Sequence, residues 1–435
     1  MQPRGIFMDD DSARDLLVVR ESLERVRRRA GHAVRYFYAH LFSHHPHLRA
    51  LFPAVMADQY ERLFAALVHA VDHLGHPGLP AHLERLGRDH RRFGVVDEDY
   101  AAVGDSLLAA IRRHSAFTWD EPTETAWRRV YTGVAEAMKE GAHRSEASGE
   151  PAFWEATVVS HRLHGDHTAV VRAAVRTPYP WRPGQYATVE HTGLPGVWRP
   201  YSLAGGSSGA GDRERILEFH IGRVQNGLLS TVFCDHTEPG QLLRLGAASG
   251  AALAPPPGTP AVTLIAAGTG WAPVKPVLDE LLARRPAPRV RIDAVARGES
   301  HFYDGASLDG LLRDHPYLSA YWWYQEYGEG RMRAAERLHT HLRARRDWAG
   351  ESVYLCGPVK FVQETADLLY ESGLPHSSLI RDPQPYSQRQ RGHVSHAEAF
   401  LDPVPVNWID PQARTEPLRA PLPATLQAPV AAPGG

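Results

Sequence analysis

The sequence predicts a multidomain protein: an all-α domain, an antiparallel β-barrel domain, an α/β domain built on a parallel sheet, and a disordered Pro/Ala-rich C-terminal tail. Three observations carry this prediction. Apolar residues recur at helical steps over residues 12–141, with almost no strand alternation. Short β-type runs bounded by Gly and Pro fill residues 152–256. Strand and helix patterns then alternate over residues 257–387, the rhythm of crossover units. At 435 residues the chain is too long for one ordinary core.

In the first domain, Ser12 follows three aspartates and reads as an N-cap. Leu16, Val19, Leu23, Val26, Ala30, Val34, Phe37 and Leu41 share one face, with Gly31 marking a bend. Helical patterns follow over 60–74, 80–92, 100–114 and 124–139, and Asp97 reads as the cap of the 100–114 helix. Polar, Gly-containing residues 141–151 read as a linker.

The barrel runs are 156–159, 168–174, 186–190, 216–221 and 241–245. In the α/β domain, strands over 262–267, 290–295, 320–324 and 352–356 precede helices over 274–283, 307–315, 334–345 and 360–372. From residue 388 to 435 periodicity stops and Pro and Ala dominate, so that stretch is expected to be a disordered tail.

Composition excludes some partners. The net charge of −2 offers no basic field for nucleic acid. The 25 histidines are scattered and form no Cys/His metal pattern. Two cysteines, Cys234 and Cys356, make no disulfide framework and suit a reducing cytoplasm. No apolar h-region opens the chain and no run is long enough to span a membrane.

Three strings suggest chemistry. Gly268-Thr269-Gly270 follows a strand and opens a helix, with Pro273 in its first turn. There the backbone amides and the helix dipole suit a pyrophosphate. An ordinary tight turn explains the string alone about as well. Arg199-Pro200-Tyr201-Ser202 offers a phosphate fork, a stacking ring and a hydroxyl, although a strand with a surface Arg fits equally. Cys356-Gly357-Pro358 ends the fourth strand of the α/β domain. Pro183-Gly184-Gln185-Tyr186 adds an aromatic, and Asn226 to Ser230 is placed to open a helix toward a second phosphate. In the first domain, His90 shares a helix face with Leu83 and Leu86, a position open equally to a core histidine. Tyr38 shares a face with Val34 and Leu41.

Taken in order, the strings of the second half resemble the ferredoxin–NADP reductase superfamily over 152 to about 385. The resemblance implies FAD held by Tyr186, Arg199, Tyr201, Ser202, Gly227 and Ser230. It implies NAD(P)H bound by Gly268, Thr269, Gly270 and Pro273, with Cys356, Gly357 and Pro358 beside the nicotinamide. The first domain resembles the globin domain of bacterial flavohaemoglobins. That implies haem b ligated by His90, with Tyr38 and Gln59 on the oxygen-binding side, Phe52 and Leu63 packing on the haem, and Tyr100 on the proximal side.

The resemblance as a whole implies a nitric oxide dioxygenase taking O2 and nitric oxide as substrates. A monomer is expected. The alternatives are a flavohaem reductase with another electron acceptor and a globin-coupled oxygen or redox sensor. Two departures stand out. Arg144 occupies the place of the family's proximal glutamate, which implies weaker proximal tuning. The stretch Ile380 to Tyr386 spaces its acidic and aromatic residues, Asp382 and Tyr386, differently from the family's flavin cover. Arg297, Ser300 and His301 sit where a 2′-phosphate would be met, or are plain surface residues.

Overall fold

A computed structural model describes residues 10–53, 56–115, 119–208, 215–253, 256, 258–324, 334–345 and 348–381. The expected tail, and with it Asp382 and Tyr386, lies outside the described residues. The chain divides into two compact units whose main boundary lies between Phe153 and Trp154.

The first unit holds α1 (Asp10–Arg27), α2 (Ala30–His44), α3 (Ala57–Asp72), α4 (Leu79–His90), α5 (Asp97–His114) and α6 (Glu121–Ala147). Val19, Leu23 and Val26 of α1, Val34, Phe37, Tyr38 and Leu41 of α2, and Trp127 of α6 meet in one buried core. The Trp127 indole donates to Ser22 Oγ at 2.6 Å, satisfying the one polar atom it brings inside.

Four local expectations change. Helix α1 starts at Asp10, so Ser12 lies inside it; acidic residue types suit a first turn and the helix begins among them. The break between α1 and α2 falls at Arg28–Arg29, just ahead of Gly31. Helix α5 starts at Asp97 after Val96, and its cap carboxylate is that of Asp99, which accepts from the Val96 amide at 2.9 Å. The linker expected over 141–151 is in fact helix as far as Ala147.

That last misreading has a packing cause. A Cβ on Gly141 would meet the Glu84 carbonyl oxygen at 1.9 Å, and one on Gly87 would meet that of Met138 at 1.8 Å. These glycines therefore let α4 and α6 cross backbone to backbone. The polar residues near the end of α6 are used as well. Arg91 donates to Ser145 Oγ at 2.6 Å and to the Glu150 carbonyl at 2.9 Å.

The second unit begins with a closed six-strand antiparallel barrel in the order β1-β2-β5-β4-β3-β6. Its strands are β1 (Trp154–His164), β2 (Thr168–Val175), β3 (Tyr186–His191), β4 (Trp198–Ser208), β5 (Arg215–Gly222) and β6 (Leu242–Leu245), with α7 (Leu228–Asp235) between β5 and β6. Strand β4 is absent from the expected runs because Pro200, Gly205 and Gly206 break its pattern. A register shift between Leu203 and Gly205 absorbs that irregularity.

The same unit then holds a five-stranded parallel sheet, ordered β11-β10-β7-β8-β9. Its elements are β7 (Ala261–Ala267), α8 (Trp271–Ala283), β8 (Arg289–Ala296), α9 (Gly305–Asp314), β9 (Leu318–Tyr324), α10 (Ala334–Ala344), β10 (Glu351–Cys356), α11 (Val359–Glu371) and β11 (Leu379–Arg381). Successive strands run outward from β7 in one direction, then return to its other side at β10. The order therefore reverses between β7 and β10, the place where such sheets take ligands at their carboxyl ends.

Candidate functional site

In the helical unit, α4 ends on His90, whose Nδ1 lies 2.6 Å from the Leu86 carbonyl oxygen. A carbonyl oxygen only accepts, so Nδ1 carries the proton and Nε2 keeps its lone pair. Burial, the largest influence, holds this imidazole below its ordinary pKa, against the opposing effect of the Leu86 bond. A neutral imidazole, fixed in tautomer by a backbone partner, is the state that binds a metal.

Helix α2 contributes Tyr38, 2% exposed, with its hydroxyl 3.5 Å from the Gln59 carbonyl on α3. Around it stand Phe52, just past a 3-10 turn, at 5.5 Å between ring centroids, Tyr60 at 5.2 Å and Phe42 at 5.6 Å. Leu63, one turn beyond Gln59, packs on the same core. The structure thus groups Tyr38, Phe52, Gln59 and Leu63.

Tyr100 enters from the first turn of α5. Its phenol oxygen is enclosed without a hydrogen-bond partner among the described residues. Burial, then Asp97 and Asp99, push that phenol up to about 12. Its backbone carbonyl accepts from Tyr131 Oη at 2.5 Å. A buried hydroxyl without a protein partner has the capacity to bond a bound group or a water. Arg144 is turned to the surface, paired with Glu84 at 2.6 Å and Glu140 at 3.0 Å.

In the barrel, β3 and β4 pair so that Tyr186 faces Ser202 and Val189 faces Arg199. Alternation along β4 puts Arg199 and Tyr201 on one face of the sheet and Ser202 on the other, where its cross-strand partner Tyr186 also lies. The string read as one unit therefore serves two faces. The Tyr201 ring meets Phe233 of α7 edge-on at 5.5 Å, and burial pushes its phenol up. Gly227 caps α7, and Ser230 Oγ donates to the Gly227 carbonyl while accepting from the Val224 amide at 3.1 Å. The Ser230 hydroxyl shapes this turn, and the first amides of α7 have no intrahelical partner.

The two glycine strings of the parallel sheet meet. A Cβ on Gly270 would lie 2.6 Å from both the carbonyl carbon and oxygen of Cys356. Gly268, Thr269 and Gly270 form a 3-10 turn after β7, and α8 begins at Trp271 with Pro273 in its first turn. Cys356 is fully buried at the end of β10, and Pro358 caps α11. Both loops sit at the switch point.

Beside them lies a narrow cleft lined by Gly268, Trp271, His301, Phe302, Tyr303 and Asp304, among others. The sequence reading picked Gly268 and His301 but missed Trp271, Phe302, Tyr303 and Asp304. The available signal was two adjacent aromatics shortly after the second strand. Two glycine loops and an aromatic cleft at the carboxyl ends suit a dinucleotide.

Comparison with known proteins agrees with this fold. A globin family model matches residues 35–138, and an oxidoreductase NAD-binding domain model matches residues 264–367. The chain is 26% identical over 380 residues to a flavohemoprotein of Vibrio cholerae, covering 80% of this chain and 95% of that one. It is 24% identical over 383 residues to a flavohemoprotein of Halalkalibacterium halodurans, covering 80% and 91%. A flavohemoglobin structure from Malassezia yamatoensis shares the fold at a TM-score of 0.65 and 21% identity, over 86% of this chain and 98% of that one. Among the described residues, no helix is long and apolar enough to cross a membrane, and no group of three or more His, Cys, Asp or Glu is arranged to hold a metal ion.

Proposed function

We propose that this chain, a flavohaemoglobin by its pairing of a globin with an oxidoreductase NAD-binding domain, is a nitric oxide dioxygenase driven by NAD(P)H. The balanced reaction consumes two NO, two O2 and one NAD(P)H, and yields two nitrates, NAD(P)+ and a proton. Haem b, FAD and NAD(P)H supply the redox chemistry when bound, and the Malassezia structure carries both FAD and haem. Two buried cysteines outside any disulfide suit a reducing cytoplasm.

The single observation that carries the reading is the state of His90. Its Nδ1–H is held by Leu86, which leaves Nε2 a lone pair that would ligate a haem iron. The other residues fit in support. The partnerless Tyr100 hydroxyl suits a haem site, where it gains a neighbour. Tyr38 has a buried hydroxyl suited to hydrogen-bond an oxygen ligand, and Gln59 places a carbonyl against it. Phe52 and Leu63 supply apolar packing for the ring.

For FAD, Tyr201 and Tyr186 offer ring faces, Arg199 a phosphate fork, Ser202 a hydroxyl, and the Gly227 turn the free amides of α7. For NAD(P)H, Gly268, Thr269, Gly270 and Pro273 form the phosphate turn, and Cys356, Gly357 and Pro358 flank the switch point.

An absorption spectrum of the purified chain, before and after NADH under air and then with nitric oxide, tests the reading. A Soret band, flavin bands and NADH-dependent nitrate formation are expected. A flavin spectrum without a Soret band refutes it.

One observation favours a second reading, electron delivery to a different acceptor. Arg144 pairs with surface carboxylates and leaves the Tyr100 hydroxyl without a carboxylate partner. Slow nitric oxide consumption beside fast reduction of a quinone or peroxide supports that version.

A further inference from the structure

Lys275 belongs to none of the glycine loops or flavin strings. It projects from α8 toward the barrel, and its Nζ lies 2.7 Å from Glu218 Oε1 on β5 and 3.0 Å from Asp304 Oδ2 ahead of α9. Glu218 also accepts from His220 Nε2 at 2.9 Å and faces Arg172 of β2 at 3.6 Å. Because Nε2 carries the proton, His220 Nδ1 accepts from Tyr303 Oη at 2.9 Å. The Trp271 indole donates to Asp304 at 2.8 Å, and Asp279, one turn further along α8, senses the same charges.

These groups are mostly withdrawn from water. The His220 side chain is wholly covered, and those of Glu218 and Asp304 are 16% and 14% exposed. Desolvating one ammonium among three carboxylates costs free energy that a surface pair does not. The placement says what the arrangement does. Trp271, Tyr303 and Asp304 are walls of the dinucleotide cleft, whereas Glu218 and His220 are barrel residues. Next to them His167, in the β1–β2 turn, stacks on His301 of the cleft at 4.2 Å between centroids.

We propose that Lys275 is a positioning residue: with Glu218 and Asp304 it clasps the nucleotide cleft to the flavin barrel, fixing the approach of the nicotinamide for hydride transfer. The inference rests on the reductase reading. Hydride transfer is sensitive to alignment, and a displacement of about 1 Å costs on the order of a hundredfold in rate. Replacing the ammonium by a thioether leaves Glu218, Asp304 and Asp279 mutually repelling, with Arg172 and His220 the remaining partners of Glu218. The 298–305 segment then keeps only the Tyr303–His220 hydrogen bond and the His301–His167 stack among the ties to the barrel described above.

The test compares Lys275→Met and Lys275→Arg with the wild type as FAD-loaded full-length protein. Three quantities are read: hydrogen exchange of amides 298–305, affinity for NAD+ by titration, and flavin reduction by NADH in stopped flow. For K275M, exchange in that segment is expected to rise about tenfold, and the maximal reduction rate to fall about tenfold or more. NAD+ affinity is expected to change by less than about threefold. K275R is expected to restore both. Wild-type exchange and rate in K275M overturn the proposal. So does lost affinity at an unchanged maximal rate, which makes Lys275 a binding residue instead. Should K275M fail to hold FAD, Lys275→Met combined with Glu218→Gln removes one charge of each sign and carries the same expectations. If the wild type oxidises no NADH, the reductase reading falls, while the exchange comparison still judges the clasp.

Discussion

A Cβ built on Gly270 would lie 2.6 Å from the carbonyl oxygen of Cys356. The turn after β7 and the end of β10 thus touch through main chain alone, and this contact closes the floor of the switch point. Gly270→Ala is expected to drive these backbones apart, lowering unfolding free energy by about 1–3 kcal/mol. It is also expected to weaken NAD+ binding while FAD content stays whole. Calorimetric melting with NAD+ titration measures both, and unchanged affinity refutes the assignment of this turn to the nucleotide.

His90→Ala removes the imidazole proposed to bind the iron, whose Nδ1 is held by the Leu86 carbonyl. The Soret band is expected to vanish. Reduction of a soluble dye by NADH, which needs only the second unit, is expected to stay within about twofold of wild type. A retained Soret band with wild-type intensity means that the axial ligand lies elsewhere.

The α4–α6 crossing gives a prediction whose sign is the test. Helix propensity alone says that Gly141→Ala gains about 1 kcal/mol. The 1.9 Å approach to Glu84 says the opposite. The variant is expected to lose about 1–3 kcal/mol in chemical unfolding of the helical unit. A stabilised variant contradicts the crossing.

Acid should loosen the helical unit before it reaches the carboxylates. Burial first, then neighbouring His73 and His82, lower the His69 imidazole to about 4. The folded state therefore binds its proton less readily than the unfolded chain. The stability held by neutral His69 is present above its ordinary pKa of about 6.5 and is lost as pH falls from there toward 4. Glu218 behaves likewise over a lower window. Burial alone would raise it, but His220 and Lys275 outweigh that and hold it at about 2, so its contribution fades as pH falls from 4.5 toward 2. Melting followed between pH 7 and 5 should drop in the helical unit, and less steeply in His69→Gln. Identical slopes in both proteins refute this.

The fold class was legible because burial repeats with the period of the backbone. Val19, Leu23 and Val26 mark α1, and the apolar run at 262–267 marks β7. Where three-dimensional proximity overrides local preference, the reading fails. Gly141 looks like a helix breaker, but α6 needs it for the approach to Glu84. Pro200 and paired glycines look like a loop, yet β4 carries them between β3 and β5.

The site divides the same way. Tyr38, Phe52, Gln59 and Leu63 could be named singly from the resemblance, and the structure brings them together. Lys275 could not be named, since nothing local links it to Glu218, which lies on another element far away in sequence. The split of Arg199-Pro200-Tyr201-Ser202 over two faces appears only once β3 is paired with β4.

His90 is the last residue of α4 and stands less than one helical turn beyond Gly87, the residue pressed on the Met138 carbonyl. Side-chain packing has some slack, because rotamers adjust; peptide groups in direct contact have none. Helix α6 is therefore a splint along α4, and the imidazole inherits its stiffness. The longest helix described in this chain, which on sequence alone fades into a spacer, holds steady the residue proposed to bind the iron.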